Sequence, residues 1–239
     1  MSLLDGIDLP ILQFTTSFVG RFPLFDHVLH AISRVDSFKG VPILALFWYA
    51  WFVVPPDATA EAAQARRRHL VAVLAGSVAT VILSRILQLL LHVHQRPILA
   101  GLGLNFPDFI SPAEVNPWNS FPSDHSMLFF ALATGLWRLD RRLGLITYLW
   151  AAIVIDFPRL YLGLHYPSDI LVGSLLGVLC MLGFLRLGLD SVWAWILAWG
   201  EQHRAWFYTL AFLVTEQVAH LFYDIRLVSY LAFGHVVQS

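Results

Sequence analysis

The sequence predicts an all-α, polytopic membrane bundle of about six transmembrane helices, and three observations carry that prediction. Of 239 residues, 58% are hydrophobic and 13% charged, well outside the range of a soluble domain. The apolar residues gather into runs that approach the roughly 20 residues needed to cross a bilayer. The cations are 14 Arg and one Lys, and most stand in short gaps between those runs.

Taken in order, the stretch Ile11 to Phe38 interleaves Phe14, Phe18, Phe22, Phe25, Leu29 and Ile32 with Arg21, Asp26, His27 and Arg34. That amphipathic pattern predicts an interfacial or re-entrant helix pair and sets residues 1–38 apart from the spans. The opening MSLLDGIDLP carries Asp5 and Asp8 and no basic stretch, so it does not read as a cleaved signal peptide; insertion is expected through internal helices. Spans are predicted near Val41 to Val54, Leu70 to Leu91, Ser126 to Trp137, Leu143 to Phe157, Ile170 to Leu185 and Ala205 to Phe222. The first, third and fourth are short and must borrow flanking residues. Trp193, Trp195, Trp199 and Trp206 around Glu201, His203 and Arg204 fit an aromatic belt at a headgroup boundary. With no internal repeat or linker, residues 1–239 read as one domain, whose motif-bearing core is 85–185.

Charge placement orients the bundle. Arg66, Arg67 and Arg68, then Arg138, Arg141 and Arg142, then Arg186 and Arg204 fall on one side, which the positive-inside rule makes cytoplasmic. The loops around His125 and His165 then face the periplasm or the exterior of a bacterial inner membrane. A nucleic-acid partner is not expected, because the cations form no broad basic face. The single cysteine, Cys180, lies inside an apolar run and provides neither a disulfide nor a thiolate cluster.

Three polar clusters end apolar helices on the opposite side: Arg96-Pro97, Pro122-Ser123-Asp124-His125, and Arg159-x5-His165-x3-Asp169. Ionisable groups at membrane depth are costly and default to functional candidates. A single Arg at a helix end is ordinarily a snorkelling anchor. Two guanidinium groups converging from separate helices instead suit the oxygens of a phosphate. Ser123 or Asp124 caps the helix that follows, and a helix N-terminus is itself an anion site. His125 in its first turn is placed to donate a proton. If a helix begins near Pro167, Asp169 reaches back to the His165 ring and orients it for attack, although a purely structural His–Asp cap has the same spacing. A metal site built from His92, His94, His125 and His165 competes with this reading. It is disfavoured because carboxylates are few and an arginine-rich pocket repels a cation.

The set resembles the type 2 phosphatidic acid phosphatase superfamily, whose signatures are Lys-x6-Arg-Pro, Pro-Ser-Gly-His and Ser-Arg-x5-His-x3-Asp. The wording Phe-Pro-Ser-Asp-His and the run Tyr161 to Asp169 look most like its undecaprenyl-diphosphate phosphatase branch. The resemblance implies the helical core shared with haloperoxidases and a membrane lipid phosphatase acting on a lipid phosphate or diphosphate. It implies that His165 is the nucleophile that becomes phosphohistidine, Asp169 its orienter, and His125 the proton donor and later the base. Arg96, Ser123, Asp124 and Arg159 become substrate-binding residues, and neither metal nor organic cofactor is implied. Two positions depart from the pattern: Leu89 stands where the first motif has Lys, with Arg85 one turn earlier, and Pro158 replaces the Ser before Arg159.

Overall fold

The structure, a computed structural model, describes residues 5–91, 93, 95–111, 115 and 119–221, and these are helical with no strand among them. The helices are α1 (Asp5–Thr16), α2 (Pro23–Arg34), α3 (Asp36–Phe52), α4 (Ala60–Leu90), α5 (Asp124–Leu139), α6 (Arg141–Trp150), α7 (Phe157–Tyr161), α8 (Pro167–Phe184), α9 (Asp190–Gln202) and α10 (Arg204–Ala219). A π-helical stretch, Ala151–Asp156, joins α6 to α7 into one continuous segment. His92 and His94, and the end of the last expected span at Phe222 with the tail beyond it, lie outside the described residues.

Helix ends follow local chemistry. Thr59 caps α4 by accepting the Ala62 N–H at 3.2 Å, and Asp140 caps α6 by accepting those of Arg142 and Leu143 at 2.7 and 3.1 Å. The π-helical stretch runs directly into Pro158, a residue with no N–H to continue an α-helical ladder. Three segments are long and apolar enough to cross a membrane: Ala60–Leu90, Arg141–Tyr161 and Pro167–Phe184. The expectation of about six spans is therefore matched at three by that measure, because α3, α5 and α10 have only 17, 16 and 16 residues.

The shortness of α5 has a physical reason. Nearly every position from Asp124 to Leu136 is buried against α4, α6 and α8, so protein rather than lipid surrounds it. Its seam with α8 is closed by glycine. A Cβ at Gly173 would stand 2.6 Å from the Ser123 carbonyl oxygen, and one at Gly177 would collide with that of Met127. Small residues four apart let membrane helices approach to backbone contact. Since Ser123 opens α5 and Asp169 lies in the first turn of α8, this seam sets two of the three motifs side by side.

The N-terminal pair is present as α1 and α2, with Phe14, Phe22 and Phe25 exposed as an amphipathic segment requires. It is also tied into the bundle. Asp8 is 3% exposed and accepts both the N–H and the hydroxyl of Ser168, at 2.8 and 2.6 Å, which caps α8 from outside. Asp26 accepts the Gly20 N–H at 2.8 Å and the Tyr161 hydroxyl, which fastens α2 to α7.

The arginine groups collect at one end of the bundle. Arg66 and Arg138 border one cleft there with His69, and Arg67 and Arg204 border another. Because α5 runs from Asp124 to Leu139, the polar clusters lie at the other end, one helix length away.

Candidate active site

The nucleophile candidate is fixed by groups that can act in only one sense. His165 is 2% exposed, and its Nδ1 lies 3.0 Å from the Ser120 carbonyl oxygen, which can only accept. Its Nε2 lies 3.1 Å from Nη1 of Arg96, which can only donate. The ring is therefore the neutral Nδ1–H tautomer, with the Nε2 lone pair beside a guanidinium. Burial pushes the His165 pKa below its ordinary value and the Arg96 charge pushes it further, against Asp169 and Asp124. The neutral, nucleophilic form is the one this environment favours. Arg96 also donates to the Leu164 carbonyl at 2.7 Å, so it clamps both the ring and the backbone just before it. The pKa of Arg96 is itself lowered, by burial first and by the Arg85 charge, with Asp124 and Asp169 opposing.

Asp169 stands where the sequence reading put it. The helix begins at Pro167, and Asp169 Oδ2 approaches His165 Nδ1 at 3.4 Å while accepting the Tyr166 N–H at 2.9 Å. The carboxylate is thus a longer-range orienter that shares Nδ1 with the Ser120 carbonyl. The motif loops are also joined through their backbones, the Ser123 N–H donating to the Asp169 carbonyl at 3.2 Å.

Ser123 is the N-cap of α5, and its hydroxyl accepts the Ser126 N–H at 3.4 Å. The Ser126 hydroxyl lies 2.9 Å from that of Ser123 and 2.8 Å from Asp156 Oδ1, so a buried acid sits behind the serine. The His125 N–H is taken by Asp124 Oδ1 at 2.8 Å. Two first-turn N–H groups that the sequence reading left open for an anion are therefore already engaged.

His125 and Asp124 form the second half of the site. Nδ1 of His125 lies 2.7 Å from Asp124 Oδ1, and Asp124 Oδ2 lies 2.5 Å from Nη2 of Arg85. Arg159, 4% exposed on α7, donates to the Ile155 carbonyl at 2.8 Å, and its charge reaches His125. Charge coupling runs likewise from Asp124 to His165 and to Arg96. All seven residues singled out from the sequence, His165, His125, Asp169, Arg96, Ser123, Asp124 and Arg159, thus lie in one constellation. The carboxylate of Asp124 is turned to Arg85 and His125.

Arg85, noted in the sequence one turn before the lysine position but not counted among the site candidates, reaches Asp124, whereas Leu89, at the family's lysine position, is 57% exposed on the outside of α4. Other contributors escaped the sequence reading. Gln88 donates to the Pro122 carbonyl at 3.0 Å, and the Asn119 amide donates to the carbonyls of Gln88, Leu91 and Phe121, so this loop is held to the end of α4. A Gln at i+3 from an Arg on a helix near a motif was the one available sign. Asp8 and Asp156 gave none, because their partners are 160 and 30 residues away.

Comparison with known proteins agrees with this geometry. Residues 92–193 match the model of the PAP2 superfamily. The chain is 36% identical over 93 residues to the bacitracin transport permease protein BcrC of Bacillus licheniformis, covering 36% of this chain and 44% of that one. It is 28% identical over 168 residues to the lipid A 1-diphosphate synthase of Escherichia coli, covering 66% and 67%, and 30% identical over 144 residues to that organism's putative undecaprenyl-diphosphatase YbjG, covering 60% and 64%. It thus spans between 44% and 67% of the length of these relatives. The crystal structure of Aquifex aeolicus LpxE shares the fold, with a TM-score of 0.57 and 22% identity over 78% of this chain and 99% of that one. Motif order and helix-end placement accord with the PAP2-superfamily match over residues 92–193, and three helices long and apolar enough to cross a membrane mark an integral membrane protein similar to that superfamily over this stretch.

Proposed function

We propose that this chain is a lipid phosphatase working through a phosphohistidine at His165, with undecaprenyl diphosphate as its preferred substrate. The observation that carries the reading is the His165 ring, whose single proton is held on Nδ1 and whose unprotonated Nε2 is paired with the Arg96 guanidinium, a group that a phosphate oxygen can take over. The His165 Nε2 pair forms a bond to the terminal phosphorus as the bridging P–O bond to the lipid monophosphate breaks. The departing oxygen takes the electron pair of that bond and a proton from His125 Nε2. Water then attacks phosphorus, gives its proton to His125, and the P–N pair returns to His165. Arg96, Arg159 and the Ser123 hydroxyl stabilise the three equatorial oxygens, where charge concentrates during transfer. Asp124 serves this site through His125 rather than as a phosphate ligand, since its carboxylate would repel the substrate.

The lipid part of the reading rests on surroundings. An apolar groove of about 840 Å³ is lined by Phe14, Phe18, Phe25, Phe157 and Tyr161. The last two flank Arg159 on α7, so a phosphate at Arg159 lies one short helix away from a place for its tail. The diphosphate preference leans on the relative named as an undecaprenyl-diphosphatase, and the relative named as a lipid A 1-diphosphate synthase makes lipid A phosphate the second substrate to try. The site is expected to face the periplasm or exterior, opposite the arginine end.

Phosphate release from a panel of undecaprenyl diphosphate, lipid A, phosphatidate and phosphatidylglycerophosphate by detergent-purified protein tests the proposal. Faster turnover of the polyprenyl diphosphate is expected, and turnover of lipid A alone would move the assignment. In intact cells, a cysteine at Asn105 should react with a membrane-impermeant thiol reagent and one at Ala63 should not.

A further inference from the structure

The first motif lacks its lysine, yet the site contains a cation from the same helix. Arg85 does not stand in the place a phosphate would take. Its Nη2 is 2.5 Å from Asp124 Oδ2, and its Nη1 donates to the Gln88 side chain at 2.7 Å. Gln88 in turn holds the Pro122 carbonyl at 3.0 Å. The other carboxylate oxygen of Asp124 faces His125 Nδ1 at 2.7 Å and accepts the backbone N–H of the same histidine at 2.8 Å. The superfamily signature has glycine at position 124, whereas the Phe-Pro-Ser-Asp-His wording of this sequence puts a carboxylate there, and Arg85 is the guanidinium that meets it.

We infer that Arg85 and Asp124 are positioning residues for His125, a relay that keeps one imidazole proton on Nδ1 and directs Nε2 at the leaving oxygen. A carboxylate can only accept, so the proton between Asp124 and His125 belongs to the ring in both of its charge states. The ring can then gain and lose its second proton only at Nε2. Asp124 also favours the imidazolium that must exist before the proton is given up. Left alone, this carboxylate would face a phosphate with its negative charge. Arg85 neutralises it, and through Gln88 it holds the loop that carries Ser123 at a fixed distance from α4. The pair therefore takes over the missing lysine's neutralising role at one remove, acting on the acid rather than on the substrate.

The leaving-group part rests on the phosphatase reading, whereas the tautomer part does not, and the experiment separates them. In detergent-purified full chain, kcat/KM is measured for a series running from p-nitrophenyl phosphate to alkyl phosphates for the wild type, Asp124→Ala, Asp124→Gly and Arg85→Met. A good leaving group needs no proton. Both Asp124 variants should lose about 100-fold on alkyl phosphates and less than about 5-fold on p-nitrophenyl phosphate. Arg85→Met should lose on both and raise KM, because it leaves the carboxylate facing substrate. An equal loss across all leaving groups in the two Asp124 variants would overturn the relay. Independently of turnover, imidazole 15N spectra, assigned with His125→Gln, should show His125 protonated at Nδ1 in the wild type and a tautomer mixture in Asp124→Gly. A wild-type His125 carrying its proton on Nε2 alone would overturn the relay as well. A wild type that releases no phosphate from any substrate but shows the Nδ1 signal would sink the phosphatase reading and leave the relay standing.

Discussion

Two histidine–carboxylate pairs meet at this site, and they are built to opposite ends. At His165 the carboxylate is distant, 3.4 Å, and a backbone carbonyl makes the closer contact at 3.0 Å, while a guanidinium caps the other nitrogen. A neutral acceptor fixes the tautomer without favouring a second proton, and Arg96 disfavours one. At His125 the carboxylate is 2.7 Å away, and the ring keeps 18% of its surface open against 2% for His165. Asp124 there favours a cation, but burial and the Arg159 charge outweigh it and hold the His125 pKa well below its ordinary value, so a proton gained at that ring is readily given up. The same two residue types are thus set in different surroundings, His165 just before α8 and His125 on α5, and the difference lies in which group sits at Nδ1 and how near; under the proposed mechanism the first is the nucleophile and the second the acid.

The contrast can be broken most completely at His165. His165→Ala should lower kcat by at least about 10⁴-fold, since no neighbouring group can attack in its place, with the thermal unfolding of the detergent-solubilised protein little changed. Arg96→Met should cost about 10²-fold or more in kcat/KM by removing one stabilising donor from the transferring phosphoryl group. It also tests the charge argument. Activity requires neutral His165 and is lost as pH falls through a pKa held below the ordinary 6.5. Removing the Arg96 charge lets that pKa rise, so the acid limb of the kcat/KM profile should move to higher pH; a shift to lower pH would contradict the assignment. Asp169→Asn should be milder, about 10- to 100-fold, because the Ser120 carbonyl still holds the Nδ1 proton, whereas a triad whose carboxylate alone sets the tautomer loses about 10⁴-fold. The smallest effect on chemistry should come from Gly177→Ala, which strains the α5–α8 seam: about 1–3 kcal/mol of stability by thermal or denaturant unfolding, with activity falling only as the two motif loops separate.

How much of this was legible in the sequence depends on how far apart the partners lie along the chain. The His165–Asp169 pair was readable because a helix starting at Pro167 fixes the geometry of residues four apart, and the Ser123 cap because a helix start has its own chemistry. The convergence of all seven candidate residues goes beyond that local chemistry and depends on the packing of the elements that carry them. The environment that divides the two histidines was not readable. The Ser120 carbonyl is 45 residues from His165 and Arg85 is 39 from Asp124. Such contacts depend on how α4, α5 and α8 stack. The span count is matched at three by length and hydropathy, with α3, α5 and α10 one or two residues shorter than that measure requires. Asp8 and Asp26, read at first as part of a surface-seeking segment, turn out to cap and clamp elements of the site, because an acidic residue on an amphipathic helix has the same sequence signature whether it faces water or an unsatisfied N–H.

The glycines of α8 bear on how functional maps of such a protein are interpreted. In a saturation survey scored by growth, substitutions at Gly173 and Gly177 should register through loss of folded protein rather than through the chemistry, since neither carries an atom that could touch a substrate. A compensating change could come only from the facing strip of α5, and that strip offers main-chain oxygens of Ser123 and Met127 where a removable side chain would be needed. Second-site suppressors on α5 should accordingly be absent for these two positions, whereas suppressors on α8 should be obtainable for Gly76, whose nearest neighbours are the side chains of Met181 and Phe184.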